Sequence, residues 1–209
     1  GQDRAGKAEL WRRNNDLDPV RKMVWLTEVP WHELRPLREE LVCRCQDPLL
    51  RGLEDKLRCT LYQWKHFPVD MILDEYIACD KVWTSTGTGV KPLDHTLAQH
   101  EGGGIQAHQW SPQFSGMDDV AKIRMPVVSY DSEETARRHN LLSEIFEGIM
   151  PVRVGGIRHM WFTPWDRLFE LVDMTHMMMA MIDDPDFVNA LVARYVDAVM
   201  HELDQIEAL

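Results

Sequence analysis

Asp74, Glu75 and Tyr76 stand together at the end of a short apolar run, Phe67-Pro68-Val69-Asp70-Met71-Ile72-Leu73. A carboxylic acid placed at such an end can orient a substrate, assist proton transfer to a leaving oxygen or nitrogen, or stabilise positive charge as it develops. The run reads as a buried strand over 69–73. In parallel α/β proteins ligands sit at the carboxyl ends of the strands, where the βα loops converge and the other faces are packed. Asp74 and Glu75 are therefore the catalytic candidates and Tyr76 a substrate-binding one. Adjacent side chains diverge, so only one of the two acids can face a pocket, and a turn cap beside a solvated acid is the bland alternative.

The same positional logic marks Glu28, Trp31 and His32, which follow the run Met23-Val24-Trp25-Leu26-Thr27. They could line an apolar substrate pocket or plug a barrel mouth. Gly155, His159 and Trp161 follow a third run, Pro151-Val152-Arg153-Val154-Gly155-Gly156-Ile157; the glycine pair would admit close approach of a ligand to the backbone, while at least one of Trp161 and Trp165 serves core packing. His95, His100, Glu101 and His108 match no standard metal spacing, and Cys43-x-Cys45 on a helix would point its thiols about 200° apart. The metal assignment is accordingly none. The methionines at 174, 177, 178, 179 and 181 read as adaptable core packing rather than a cofactor surface, and no nucleotide-binding glycine motif occurs.

The elements that must position these residues repeat as a β-prone run, a connection and an amphipathic helix. The first helix opens at Asp47-Pro48, with Asp as cap and Pro in the first turn. It continues to about His66 with Leu49, Leu50, Leu53, Leu57, Leu61 and Trp64 on one face. The second starts at Asp131, with Glu134 as capping-box partner, and runs to about Phe146. Between run and helix lies an excursion over 84–125, long enough to be functional or to carry small strands of its own. Asp184-Pro185 opens the last helix, which keeps Phe187, Val188, Leu191, Val192, Tyr195, Val199, Leu203 and Ile206 in register. The expected organisation is one domain over 1–209: a lead-in at 1–21 and βα units at 22–68, 69–148 and 149–209. Three such units leave open sheet edges, and an eight-unit barrel takes about 250 residues, so the expectation is the amino-terminal part of a larger TIM-type barrel.

The chain has 209 residues, 44% of them hydrophobic, enough for a sizeable core. Its net charge of −11 argues against a nucleic-acid partner, which needs a basic face. No apolar stretch reaches membrane-spanning length, residues 1–15 lack a signal-peptide core, and the four cysteines have no disulfide-framework spacing. The expected location is cytoplasmic.

With these elements in place, the sequence resembles the uroporphyrinogen decarboxylase superfamily, which includes the cobalamin-dependent methyltransferases. The similarity rests on His66-Phe67-Pro68-Val69-Asp70, on 150–156 as a later strand, and on Trp165 followed by Met181-Ile182-Asp183-Asp184-Pro185-Asp186-Phe187-Val188. It implies a (β/α)8 barrel and an essential aspartate at the end of the second strand, for which Asp74 is the nearest equivalent. Decarboxylases of the family carry two arginines after the first strand to grip the substrate carboxylates. Here that stretch is Leu26-Thr27-Glu28-Val29-Pro30-Trp31-His32, with an acid in their place. A tetrapyrrole rich in carboxylates would meet repulsion there. The resemblance therefore implies a corrinoid-linked methyltransferase or demethylase acting on a small methylated substrate, with a corrinoid protein as partner, zinc only through residues outside this sequence, and a second copy of the chain as a candidate assembly partner. Porphyrinogen decarboxylation is the enzymatic alternative, and a non-catalytic barrel fragment or binding module the other.

Overall fold

The computed structural model describes residues 4–96, 108–157, 160 and 162–209. About half of the chain is helical, and the strands pair into sheets of two strands each. Contacts divide it into two compact units, Gly1–Asp74 and Glu75–Leu209.

The first unit is helical among its described residues. It contains α1 (Arg4–Asn15), a single turn α2 (Trp31–Leu34), two 3-10 turns at Arg35–Leu37 and Glu39–Leu41, and α3 (Pro48–His66). The Asp47 side chain accepts from the Leu50 N–H and Pro48 occupies the first turn, as the Asp-Pro signal requires. The buried face of α3 is not the leucine stripe. Cys59 and Tyr62 are buried with Leu41, against Trp31 and Leu34, whereas Leu61 is 62% exposed. The turns at 31–41 pack on the side of α3 that carries a thiol and a phenol, residues that an apolar-periodicity reading ranks below leucine.

Neither expected strand of this unit forms: 23–27 and 69–73 are irregular. The reason lies in where the backbone hydrogen bonds go. Lys7 Nζ, Trp11 Nε1 and Arg4 Nε donate to the carbonyls of Val69, Asp70 and Leu73, at 2.8, 2.7 and 3.0 Å. Positions 4, 7 and 11 share one face of α1, so a single helix face occupies the acceptors that a strand ladder would use. The Asp70 N–H donates to the Val24 carbonyl, Pro68 has no N–H, and Val69 sits at φ +34, outside the β region.

In the second unit β1 (Ile77–Asp80) pairs in parallel with β6 (Val152–Gly155), Ile77 opposite Val152 and Asp80 opposite Gly155. The third expected run is thus a strand, and the second strand lies beyond Asp74 rather than before it. Helix α4 (Ser132–Ile145) packs on both strands. The Asp131 side chain caps it through the Glu134 N–H; the Glu134 carboxylate is engaged by Arg137 and Arg138. The excursion over 84–125 does carry strands of its own: within it β3 (Leu93–Thr96) pairs antiparallel with β4 (His108–Ser111), and across its ends β2 (Val82–Ser85) pairs antiparallel with β5 (Val128–Asp131).

After β6 come α5 (Pro164–Phe169), α6 (Met174–Asp183) and α7 (Pro185–Glu207), the last capped by Asp184 through the Phe187 N–H. They enclose the main core, in which Phe187, Val188 and Leu191 of α7 meet Phe114, Ile123, Leu168 and Met177, with Val192 and Tyr195 packed against it. On α6 only Met177 and Ala180 are buried; Met174, Met178, Met179 and Met181 are exposed, against the packing role expected of them. Three turns of α7 farther on, Gln205 receives the Val128 N–H and donates to the Pro126 carbonyl, fixing the approach to β5.

Candidate functional site

The carboxyl edge of the parallel pair is built by Asp80 and Gly155. The Lys81 N–H donates to the Gly155 carbonyl at 2.9 Å, which extends the pairing one residue and leaves the exposed Asp80 carboxylate at the strand end. The chain then turns into β2. The Val82 N–H donates to Thr135 Oγ1 at 2.9 Å, and that buried hydroxyl donates to the Asp131 carbonyl at 2.7 Å, so one threonine of α4 ties the start of β2 to the end of β5. A groove of about 460 Å³ follows, lined by Val82, Thr84, Ser129, Tyr130, Asp131, Ser132 and Glu133, with Lys81 Nζ 6.0 Å from the centre of the Tyr130 ring. Beneath the edge, burial and the neighbouring Asp80 charge push the Cys79 thiol up, which keeps it protonated and unreactive. Asp80 thus ends the parallel pair as an exposed acid, and the next residue, Lys81, carries its ammonium group over the Tyr130 phenol ring beside the groove.

The residues selected from sequence fall elsewhere. Asp74 and Glu75 are exposed and precede β1, at the amino end of the parallel pair, where packing rather than ligand binding is usual. Tyr76 lies under the Arg153 guanidinium, 4.5 Å from Cζ to the ring centre, a cation–π contact at the same amino end. Gly155 is at the carboxyl edge as expected, and a Cβ added there or at Gly156 would meet nothing within 4 Å. Glu28 is exposed on an irregular segment. Trp31 packs edge-on against Tyr62, ring centres 6.2 Å apart, and so serves the core, while exposed His32 lies 3.6 Å from Glu33. His159 and Trp161, with His100 and Glu101, lie outside the described residues.

On the β3–β4 hairpin His108 Nδ1 meets Asp94 at 2.8 Å and His95 Nε2 meets Ser111 at 2.9 Å. Their register puts the two imidazoles on opposite faces, so they do not converge on one ion. Cys43 and Cys45 sit on irregular backbone, not on a helix, and each engages a carboxylate of α3: Cys43 Sγ lies 3.8 Å from Asp55 Oδ1, and the Cys45 N–H donates to Glu54 at 2.8 Å.

Asp80 and Lys81 were hidden in the sequence by the stronger apolar run before them. The available signal was the alternation of Ile77 and Cys79, both buried, with Ala78 and Asp80, followed at once by β-branched Val82. Asp70 was also passed over as a polar anchor. It is only 4% exposed, and its carboxylate accepts from both Nη atoms of Arg21 and from the Val24 N–H; these donors hold it well below the usual carboxylate range. Comparison of the chain with protein-family models, with curated proteins and with solved structures gives no match.

Proposed function

We propose that the chain is an enzyme of the uroporphyrinogen decarboxylase-like type, built as part of a TIM-type barrel, that transfers a methyl group from a small methylated substrate to a corrinoid carried by a partner protein. The observation that carries this reading is the parallel β1–β6 pair covered by α4, with Asp80 and Gly155 at its carboxyl edge. In this scheme Asp80, in place of Asp74, protonates the leaving oxygen or nitrogen as its bond to the methyl carbon breaks, and Lys81 and Tyr130 orient the substrate. The corrinoid supplies the methyl-accepting centre; being held by the partner, it has no ligand assigned in this chain.

Tetrapyrrole decarboxylation is the weaker reading because the arginines flanking 26–32 are already committed. Arg21 forks onto Asp70, and Arg35 onto Asp55 at 2.8 and 3.2 Å, so neither is available to a substrate carboxylate without breaking an internal pair. The test is demethylation of a methoxyarene with reduced cobalamin as acceptor. Asp80→Asn is expected to slow turnover about 10²–10⁴-fold, the usual contribution of a general acid, while Asp74→Asn leaves it unchanged. The reverse pattern, or turnover of uroporphyrinogen in place of the methoxyarene, rejects the proposal.

A further inference from the structure

Gly52 stands in the second turn of the 19-residue helix α3, where glycine is destabilising relative to alanine, and nothing in the fold requires it there. Its φ is not positive, and a Cβ built at this position meets no atom within 4 Å. The space it leaves opens into a cleft of about 590 Å³, within the roughly 300–1,000 Å³ typical of small-molecule sites. Val42 and Pro48 give the cleft an apolar wall, and Arg35, Arg51 and Asp55 supply its charge. Asp55 neutralises Arg35 through the two hydrogen bonds described above. Arg51 donates from Nη1 to the Cys45 carbonyl at 3.2 Å, and among the described residues no carboxylate pairs with it. A guanidinium has five N–H donors, so most of the Arg51 donor set and its whole charge remain to be matched.

We infer that this cleft binds a small apolar monocarboxylate, its carboxylate on Arg51 and its apolar body over Gly52 against Val42 and Pro48. The absent side chain makes the floor, one surplus positive charge sets the charge of the occupant, and the apolar wall sets the rest of its chemistry. The cleft lies wholly within the unit Gly1–Asp74, and the inference does not rest on the chemistry proposed at Asp80.

Benzoate and its neutral isostere benzamide are the probes, titrated calorimetrically into the whole chain. Benzoate is expected to bind at least about tenfold more tightly than benzamide. Arg51→Gln should abolish that preference. Gly52→Leu should weaken benzoate at least about tenfold while leaving the thermal midpoint no lower than that of the parent, since leucine is the better helix former; loss of binding then cannot be attributed to loss of the fold. Cys43 lines the cleft and Cys45 does not, so bound benzoate should slow alkylation of Cys43 by iodoacetamide and leave Cys45 unchanged. Equal affinity for the two probes, no benzoate binding below about 10 mM, full binding by Gly52→Leu, or equal protection of both thiols overturns the inference.

Discussion

In the unit Glu75–Leu209 eleven buried residues form one apolar cluster, drawn from α5, α6, α7, the α5–α6 connection that holds Leu171 and Val172, and the segment that holds Phe114 and Ile123. In the unit Gly1–Asp74 the corresponding cluster is Leu41, Cys59 and Tyr62, and what fixes the rest of the chain is polar: Arg21 on Asp70, Arg35 on Asp55, Arg58 on Glu54, and the donors of α1 on the carbonyls of 69–73. Apolar burial scales with area and ignores direction, whereas each of these polar contacts depends on geometry and, where charged, on pH. The two units should therefore fail under different insults, and that difference can be measured.

The largest effect is expected in the apolar core. Phe187 of α7 is essentially fully buried in this cluster, and Phe187→Ala should cost the carboxyl-terminal unit about 3–5 kcal/mol through lost transfer energy and a residual cavity. Urea unfolding followed by amide exchange would show protection in α7 falling while α3 keeps its own. A loss below about 1 kcal/mol would mean that this cluster is not what holds the unit together.

Acid should reverse the order of failure. In the amino-terminal unit the backbone N–H of Cys45, then Arg58 and the N–H of Arg44, hold the Glu54 carboxyl at about 2 against an ordinary 4.5, and Asp70 is held lower still by Arg21. In the other unit Arg137 and Arg138 likewise hold Glu134 at about 2. A carboxylate whose folded pKa is depressed adds stability above its unfolded value, and that stability is lost as pH falls from about 4.5 toward 2. Both units weaken over this window, but only the amino-terminal one lacks a large apolar core to fall back on. Amide protection in α3 should disappear at a higher pH than protection in α7. Simultaneous loss would show that the units share one cooperative transition.

How much of this was legible from residues alone follows the same division. Three helix starts were readable because a side-chain cap is a local event: Asp47, Asp131 and Asp184 all accept from the N–H three residues on, although the same Asp-Pro pair at Asp18-Pro19 opens no helix. The core face of α7 was readable because its apolar positions recur at helical spacing and the partner surface is apolar as well. Strand 152–155 was readable, yet 69–73, the more apolar run, was not a strand, and 77–80 was. A strand exists only if its backbone finds another backbone, and no periodicity reveals that three side chains of α1 reach the carbonyls of 69–73 first. The carboxyl end of a strand cannot be located before the strand is: Asp74 and Glu75 precede β1, and the acid at its carboxyl end is Asp80. Two-stranded pairing leaves the barrel as a proposal and mixed α/β architecture as the finding.

The smallest effect tests that competition directly. Trp11 Nε1 donates to the Asp70 carbonyl at 2.7 Å in a partly buried setting, and Trp11→Phe keeps most of the ring contact with Trp25 while removing the donor. The expected cost is about 1 kcal/mol, the usual net worth of one such hydrogen bond. It should appear as about fivefold faster exchange of the Asp70 amide, whose proton is held by the Val24 carbonyl. If side-chain capture is what keeps 69–73 out of a ladder, removing one of three donors loosens the segment without creating a strand, because Pro68 and the φ of Val69 still oppose pairing. Slower exchange across 69–73 in the variant would mean that the run is a strand former restrained by Trp11, and the expectation drawn from its apolar sequence would then have been right about the segment and wrong only about its surroundings.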